Sequence, residues 1–61
     1  MNAGIKREIR RLEELGETVE VNDNEIVIAN KIVPKSIAKA FVSRIQKADT
    51  ENKYQVTIKP A

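Results

Sequence analysis

Residues 18–29 read TVEVNDNEIVIA, in which hydrophobic and polar side chains alternate on both sides of a short polar segment. Alternation over four to six residues is typical of a β-strand with one buried face. A two-residue loop at residues 23–24 brings four hydrophobic side chains onto one face, because it pairs Val21 with Ile26 and Val19 with Ile28. A slip of one residue would divide these side chains between the two faces. The segment therefore predicts a β-hairpin with a single register.

Two helical patterns and a final strand surround this hairpin. Residues 3–15 predict an amphipathic helix, with Gly16 placed to end it in the left-handed conformation. Its apolar face is formed by Ile5, Ile9 and Leu12, with Leu15 at the edge. Pro34 suits the first turn of a second helix that runs to about Ala48. The apolar centre of that helix is expected at Ile37, Phe41 and Ile45. The last strand is expected from Tyr54 to Lys59, ended by Pro60.

The order of elements predicts an α+β fold with an α-β-β-α-β arrangement. We expect residues 1–61 to form one small domain, a two-layer sandwich with a three-stranded sheet and both helices on one face. A right-handed crossover through the second helix would place the third strand antiparallel beside the first. The predicted strand order is therefore 2-1-3.

Composition argues against most catalytic chemistry. The chain has no cysteine and no histidine, so it has neither a thiol nucleophile nor the usual general base. It also lacks the two side chains that most often bind zinc in proteins, which makes an ordinary zinc site improbable. The acids fall on expected strand exteriors, turns and helix ends, where they should be solvated. Only two glycines are present, too few for a phosphate-cradling loop. The sequence predicts a non-enzymatic protein without a cofactor or a bound metal.

Charge is strongly segregated along the chain. Residues 13–25 contain six acids and no base, whereas residues 31–47 contain five bases and no acid. Segregated charge of this kind creates a field that selects a partner of opposite sign. The helical patterns place most of the bases on solvent-facing arcs. The candidate phosphate-binding residues are Lys6, Arg7, Arg10, Arg11, Lys35, Lys39 and Lys47, with Arg44 at the border of the second arc.

The aromatic content restricts which nucleic acid would be bound. Proteins that bind single strands stack bases on exposed rings, and this chain has only Phe41 and Tyr54, both expected in or beside the core. The sequence therefore favours contacts to the backbone of duplex DNA or structured RNA. Two alternatives stay open: an ordinary solvated helix surface, or a protein-interaction module that regulates or inhibits a larger protein.

Size and hydropathy set the remaining expectations. A domain of 61 residues has a marginal core, and without disulfides self-association is one route to stability. We expect a homodimer, formed through the third strand or across the open sheet face, where Val27 and Ala29 lie.

The longest apolar stretches are too short to span a bilayer, and the N-terminus lacks the apolar run of a signal peptide. We therefore expect a cytoplasmic protein without membrane contact.

Overall fold

Two α-helices and three β-strands follow one another in the predicted order. The computed structural model describes residues 1–60. Together the elements form a small α+β fold with a mixed sheet. Their bounds are α1 Ala3–Glu14, β1 Thr18–Val21, β2 Glu25–Asn30, α2 Lys35–Ala48 and β3 Gln55–Pro60.

The hairpin register predicted from the alternation is confirmed. Strand β1 pairs antiparallel with β2, and Val19 lies opposite Ile28 while Val21 lies opposite Ile26. The Asn22 N–H donates to the Glu25 carbonyl at 2.8 Å, which closes the two-residue loop. Both isoleucines are fully buried. The short polar loop and the apolar alternation thus specify the same pairing.

The strand order differs from the prediction. The sheet has the order β1-β2-β3, and β3 runs parallel to β2 rather than antiparallel to β1. The expected order 2-1-3 is therefore wrong. Two physical reasons favour the observed order. Helix α2 joins β2 to β3 as a compact crossover between adjacent parallel strands. In addition, β2 is the most apolar strand, and the central position buries it most completely.

Helix α1 begins and ends with specific backbone hydrogen bonds. The Asn2 side chain accepts from the Ile5 N–H at 2.8 Å, as an N-cap residue does. At the other end, Gly16 N–H donates to the Glu13 carbonyl and Glu17 N–H donates to the Leu12 carbonyl, both at 3.0 Å. This pair of bonds is a Schellman motif. Gly16 has φ of +96°, which supports its predicted role as the helix stop.

The two helices lie antiparallel, as contacts at both ends show. The Asn2 amide donates to the carbonyl of Ala48 at 2.7 Å, which ties the start of α1 to the end of α2. Further along, Glu8 of α1 lies beside Arg44 of α2. Near the other end, Leu15 and Phe41 line the same hollow.

Both helices and one face of the sheet contribute to a single core. Its buried members are Ile5, Leu12, Ile26, Ile28, Phe41, Ile45 and Val56. Ile37, expected at the centre of α2, is instead 44% exposed, and the buried face of α2 is formed by Ala38, Phe41 and Ile45. The reason is the length of α1, which ends beside Phe41 and leaves Ile37 without a neighbouring helix. Leu15 is exposed at the same end of the molecule.

Candidate nucleic-acid interface

All seven candidate bases are exposed on the two helices, and we call this set the basic helix surface: Lys6, Arg7, Arg10, Arg11, Lys35, Lys39 and Lys47. Within residues 1–60, the one ion pair joins Glu8 to Arg44, which is outside that set. Among the described residues, therefore, no carboxylate lies within ion-pair distance of any of the seven cations of the basic helix surface. Their charge is available to a ligand.

Three of these cations converge on α1. Lys6, Arg7 and Arg10 line a shallow hollow of about 300 Å³, together with the small side chain of Ala3. Spacings of four and three residues bring Arg10 to the same side of the helix as Lys6 and Arg7. The hollow concentrates three positive charges, which is an arrangement suited to a phosphate group.

Arg11 and Arg44 lie in a different place, where the two helices meet. They line a second hollow of about 330 Å³ with Glu14, Leu15 and Phe41. The Arg44 guanidinium is 3.8 Å from a carboxylate oxygen of Glu8 and 5.5 Å from the centre of the Phe41 ring. Both contacts hold Arg44 against the protein. Arg44 is therefore a residue of the helix–helix contact, which agrees with its place at the border of the predicted arc.

The three lysines of α2 are exposed along a helix that contains no acid. Lys35 lies in its first turn, Lys39 one turn later and Lys47 in its last turn. None of them lines the α1 hollow. The structure thus brings Lys6, Arg7 and Arg10 together, and places the α2 lysines on the neighbouring helix.

Helix stability alone does not account for these charges. Lys6 and Lys35 lie in first turns, where the positive end of the helix dipole disfavours cations by a few tenths of a kcal/mol each. Lys6 with Arg10, and Arg7 with Arg11, are like-charge pairs four residues apart, which are also unfavourable. An anion bound at this surface would offset both costs.

A buried acid that the sequence analysis treated as solvated supports the start of α2. Glu17 is only 3% exposed. Its carboxylate accepts hydrogen bonds from the Asn30 amide at 2.8 Å, from the Lys31 N–H at 3.0 Å and from the Ile32 N–H at 2.8 Å. The expectation of a solvated side chain is wrong here, because the backbone of the loop after β2 solvates the carboxylate in place of water. Glu17 thereby fixes the loop that leads to Lys35.

These hydrogen bonds also determine how Glu17 ionises. Burial raises the pKa of the carboxyl, but the bonds from Asn30 and from the backbone N–H groups of Ile32, Lys31 and Val33 outweigh it. The pKa of Glu17 therefore lies below its ordinary value. A lowered pKa means that the ionised side chain stabilises the fold above the pKa of the unfolded chain. That contribution is lost as the pH falls through the lower pKa of the folded chain.

We expect Glu17→Gln to lower the melting temperature at pH 7, because an amide cannot accept all of these bonds as a carboxylate does. The difference from the native chain should narrow below about pH 4, near the ordinary pKa of glutamate. Thermal melts followed by circular dichroism between pH 7 and pH 2 measure it. Glu20→Gln, at an exposed position on β1, is the matched control and should melt as the native chain does. A constant difference across this pH range would contradict the account.

Asp49 is a second acid that the sequence analysis placed in solvent. It is 7% exposed, and its carboxylate accepts from the Tyr54 N–H at 2.7 Å. Its own backbone N–H donates to the Ile45 carbonyl at 2.9 Å at the end of α2. Asp49 thus connects α2 to the turn before β3. Its position directly after the apolar face of a helix, in a polar run, is the sequence signal that points to such a turn.

Comparison with protein-family models, with curated protein sequences and with solved structures finds no match to this chain. Among residues 1–60, no helix combines the length and hydropathy that crossing a membrane requires. The same residues contain no group of three or more acids placed to hold a metal ion.

Proposed function

We propose that this chain is a small, non-enzymatic protein that binds the phosphate backbone of a nucleic-acid duplex through its basic helix surface. The observation that carries the proposal is the hollow on α1, where three exposed cations converge and, among residues 1–60, no carboxylate lies within ion-pair distance of them. Phosphate contacts of this kind give affinity and orientation with little base readout. A cytoplasmic location, compatible with the lack of cysteine, would give the protein access to nucleic acid.

The distribution of charge between the layers supports this proposal. We propose a two-layer arrangement in which both helices cover one face of the sheet, consistent with their shared core cluster. The helices carry eight bases and three acids. The opposite sheet face has Glu20, Glu25 and Lys59 among neutral residues such as Thr18 and Thr57. Such a molecule would turn its helices toward a polyanion and its sheet away from it.

Burial of the aromatic side chains favours a duplex over a single strand. Phe41 is 7% exposed in the core, and Tyr54 is partly buried against it. They are the two aromatic residues of the chain, so neither is a free platform for stacked bases. The longest dimension of the molecule is 29 Å. At 3.4 Å per base pair, that length covers about eight base pairs.

A matched pair of charge substitutions tests the proposal. The probe is a fluorescein-labelled 12-base-pair DNA duplex, with an RNA duplex of the same sequence as the second arm, and the measurement is fluorescence anisotropy at 50 mM salt. Arg10→Gln should weaken binding roughly tenfold, because one phosphate contact and its counterion release are lost. Lys59→Gln removes the same charge from the opposite sheet face and should change the Kd less than twofold. Equal effects of the two substitutions, or no binding in either arm, would contradict the proposal.

A protein-interaction module, acting as a regulator or inhibitor, is the second candidate. It is favoured by a group of exposed hydrophobic side chains near the end of α1, Leu15, Ile32 and Ile37, which are 46%, 65% and 44% exposed. Groups of this kind mark contact surfaces when they are contiguous. A pull-down with and without nuclease separates the candidates, because direct protein partners survive the nuclease and nucleic-acid-bridged ones do not.

A further inference from the structure

Strand β3 has a free edge that presents backbone hydrogen-bonding groups. The Gln55 N–H donates to the Asn24 carbonyl at 2.9 Å, and β3 continues parallel to β2 in that register. Backbone groups of successive residues point to opposite sides of a strand. Gln55, Thr57 and Lys59 therefore pair with β2, whereas Val56 and Ile58 direct their N–H and C=O groups outward. In the described sheet, no strand lies beyond β3 on that side.

At both ends of this free edge, the position that points outward has no available N–H group. Tyr54 would supply the next outward N–H, but that group already donates to the Asp49 carboxylate at 2.7 Å. Pro60 occupies the outward position at the other end and has no N–H. The N–H donors available at this edge are therefore those of Val56 and Ile58. This short set limits how a second strand can pair with it.

We propose that a second copy of this chain pairs antiparallel with β3 about a two-fold axis at Thr57. In this register Val56 lies opposite Ile58 of the partner subunit, and the reverse pair is generated by symmetry. Each pair exchanges two hydrogen bonds, so all four edge donors of the dimer are satisfied. Thr57 faces its symmetry mate in the close, non-hydrogen-bonded position at the centre. The two sheets join into one sheet of six strands.

The edge of β1 does not offer an equivalent interface. The Asn22–Glu25 bond sets the alternation, so Val19 and Val21 direct their backbone groups outward from β1. A two-fold pairing there would place Glu20 directly opposite Glu20 of the partner subunit. Like charges in that position destabilise a strand pair. The neutral threonine at the centre of β3 has no such cost, and β3 is also longer, with six residues against four.

The helix layer leaves room for the second copy beside β3. Helix α1 packs against β1, whereas α2 packs against both β2 and β3. Arg44 faces α1, so Val42, two residues earlier, lies on the opposite flank of α2, where it is half-buried. Ile58, which shares the inner face with Ile28, is also only partly covered. A second copy would bring these apolar surfaces against their equivalents and bury them.

A cysteine placed at the two-fold axis tests this register. The chain has no cysteine of its own, so Thr57→Cys introduces a single thiol on the open sheet face. The expected separation of about 4.5 Å between the two Cα atoms falls within the range for a disulfide. With oxidised glutathione as the oxidant, Thr57→Cys should form a disulfide-linked dimer almost completely. Glu20→Cys, at the corresponding position of β1, should stay at least tenfold less cross-linked. Equal cross-linking of the two variants would overturn the register.

Sedimentation equilibrium without any cross-link tests the association itself. The native chain should sediment at twice 6.9 kDa at tens of micromolar. Thr57→Glu places two carboxylates opposite each other at the axis and should be monomeric, while Thr18→Glu on β1 should stay dimeric. Circular dichroism confirms that both variants fold. A 6.9 kDa species at every concentration would overturn the proposal. The measurement contains no nucleic acid, so its outcome is independent of the proposed function.

Discussion

Phe41→Ala is expected to leave the chain largely unfolded at 25 °C. Phe41 is the one large ring of the buried cluster, where Ile45 and Ala38 flank it on α2, and it also carries the Arg44 guanidinium above its face. Removing a buried phenylalanine side chain costs about 3–5 kcal/mol through lost transfer energy and the cavity that remains. At roughly 0.05–0.15 kcal/mol per residue, a chain of this length has about 3–9 kcal/mol of stability. The substitution therefore removes most of it.

Ile37→Ala is the matched control for Phe41→Ala. It shortens a hydrophobic side chain one turn earlier on α2, at a position that is 44% exposed. Its cost should stay below about 1 kcal/mol, because an exposed side chain leaves no cavity when it is shortened. Urea denaturation followed by circular dichroism measures both variants. The core would be wrong if Phe41→Ala unfolded at the same urea concentration as the native chain. It would also be wrong if Ile37→Ala lost as much stability as Phe41→Ala.

The second large effect is the dependence of duplex binding on salt. If the basic helix surface engages about four phosphates, the logarithm of the binding constant should fall with the logarithm of salt at a slope near −3.6, since each contact contributes roughly 0.9. Between 50 and 200 mM salt, the affinity should then fall roughly 150-fold. Anisotropy titrations at four salt concentrations measure the slope. A slope shallower than about −1 would show that phosphate contacts do not dominate binding.

The hairpin was predictable because two independent local features agree on it. The alternation of residues 18–29 defines which side chains share a face, and the two-residue loop fixes their pairing; both are confirmed in the register of Val19 with Ile28. The end of α1 was predictable for a similar reason, since glycine is favoured where φ is positive. Features determined within a few residues of the chain can be read from the sequence.

The strand order and the buried face of α2 depend on contacts between distant segments. The predicted order placed the third strand beside β1, whereas the observed order buries β2, the most apolar strand, at the centre of the sheet. Ile37 fits the apolar pattern of α2, but α1 ends too early to cover it. Neither the length of α1 relative to α2 nor their alignment is visible in a helical pattern. The local rules therefore predicted both features wrongly.

Among the charged residues, too, some positions could be predicted from local spacing and others depend on contacts with distant segments. Exposure of Lys6, Arg7 and Arg10 follows from their spacing on an amphipathic helix, so the sequence could propose them as a set. The burial of Glu17 could not be proposed in that way, because its partners are backbone N–H groups of a loop fourteen or more residues away. A glutamate directly after the glycine of a helix stop was the available signal. Its expected position at a helix end instead placed it among the solvated acids.

The measurement that tests the phosphate-binding surface most directly compares salt slopes of two triple variants. One replaces the cations of the α1 hollow, Lys6, Arg7 and Arg10, with glutamine, and the other replaces the three bases outside the helices, Lys31, Lys53 and Lys59. The two variants have the same net charge. If the hollow contacts phosphates, the slope of the first should become shallower by about 2.7, at roughly 0.9 for each lost contact, while the second keeps the native slope. Equal slopes in the two variants would contradict the account.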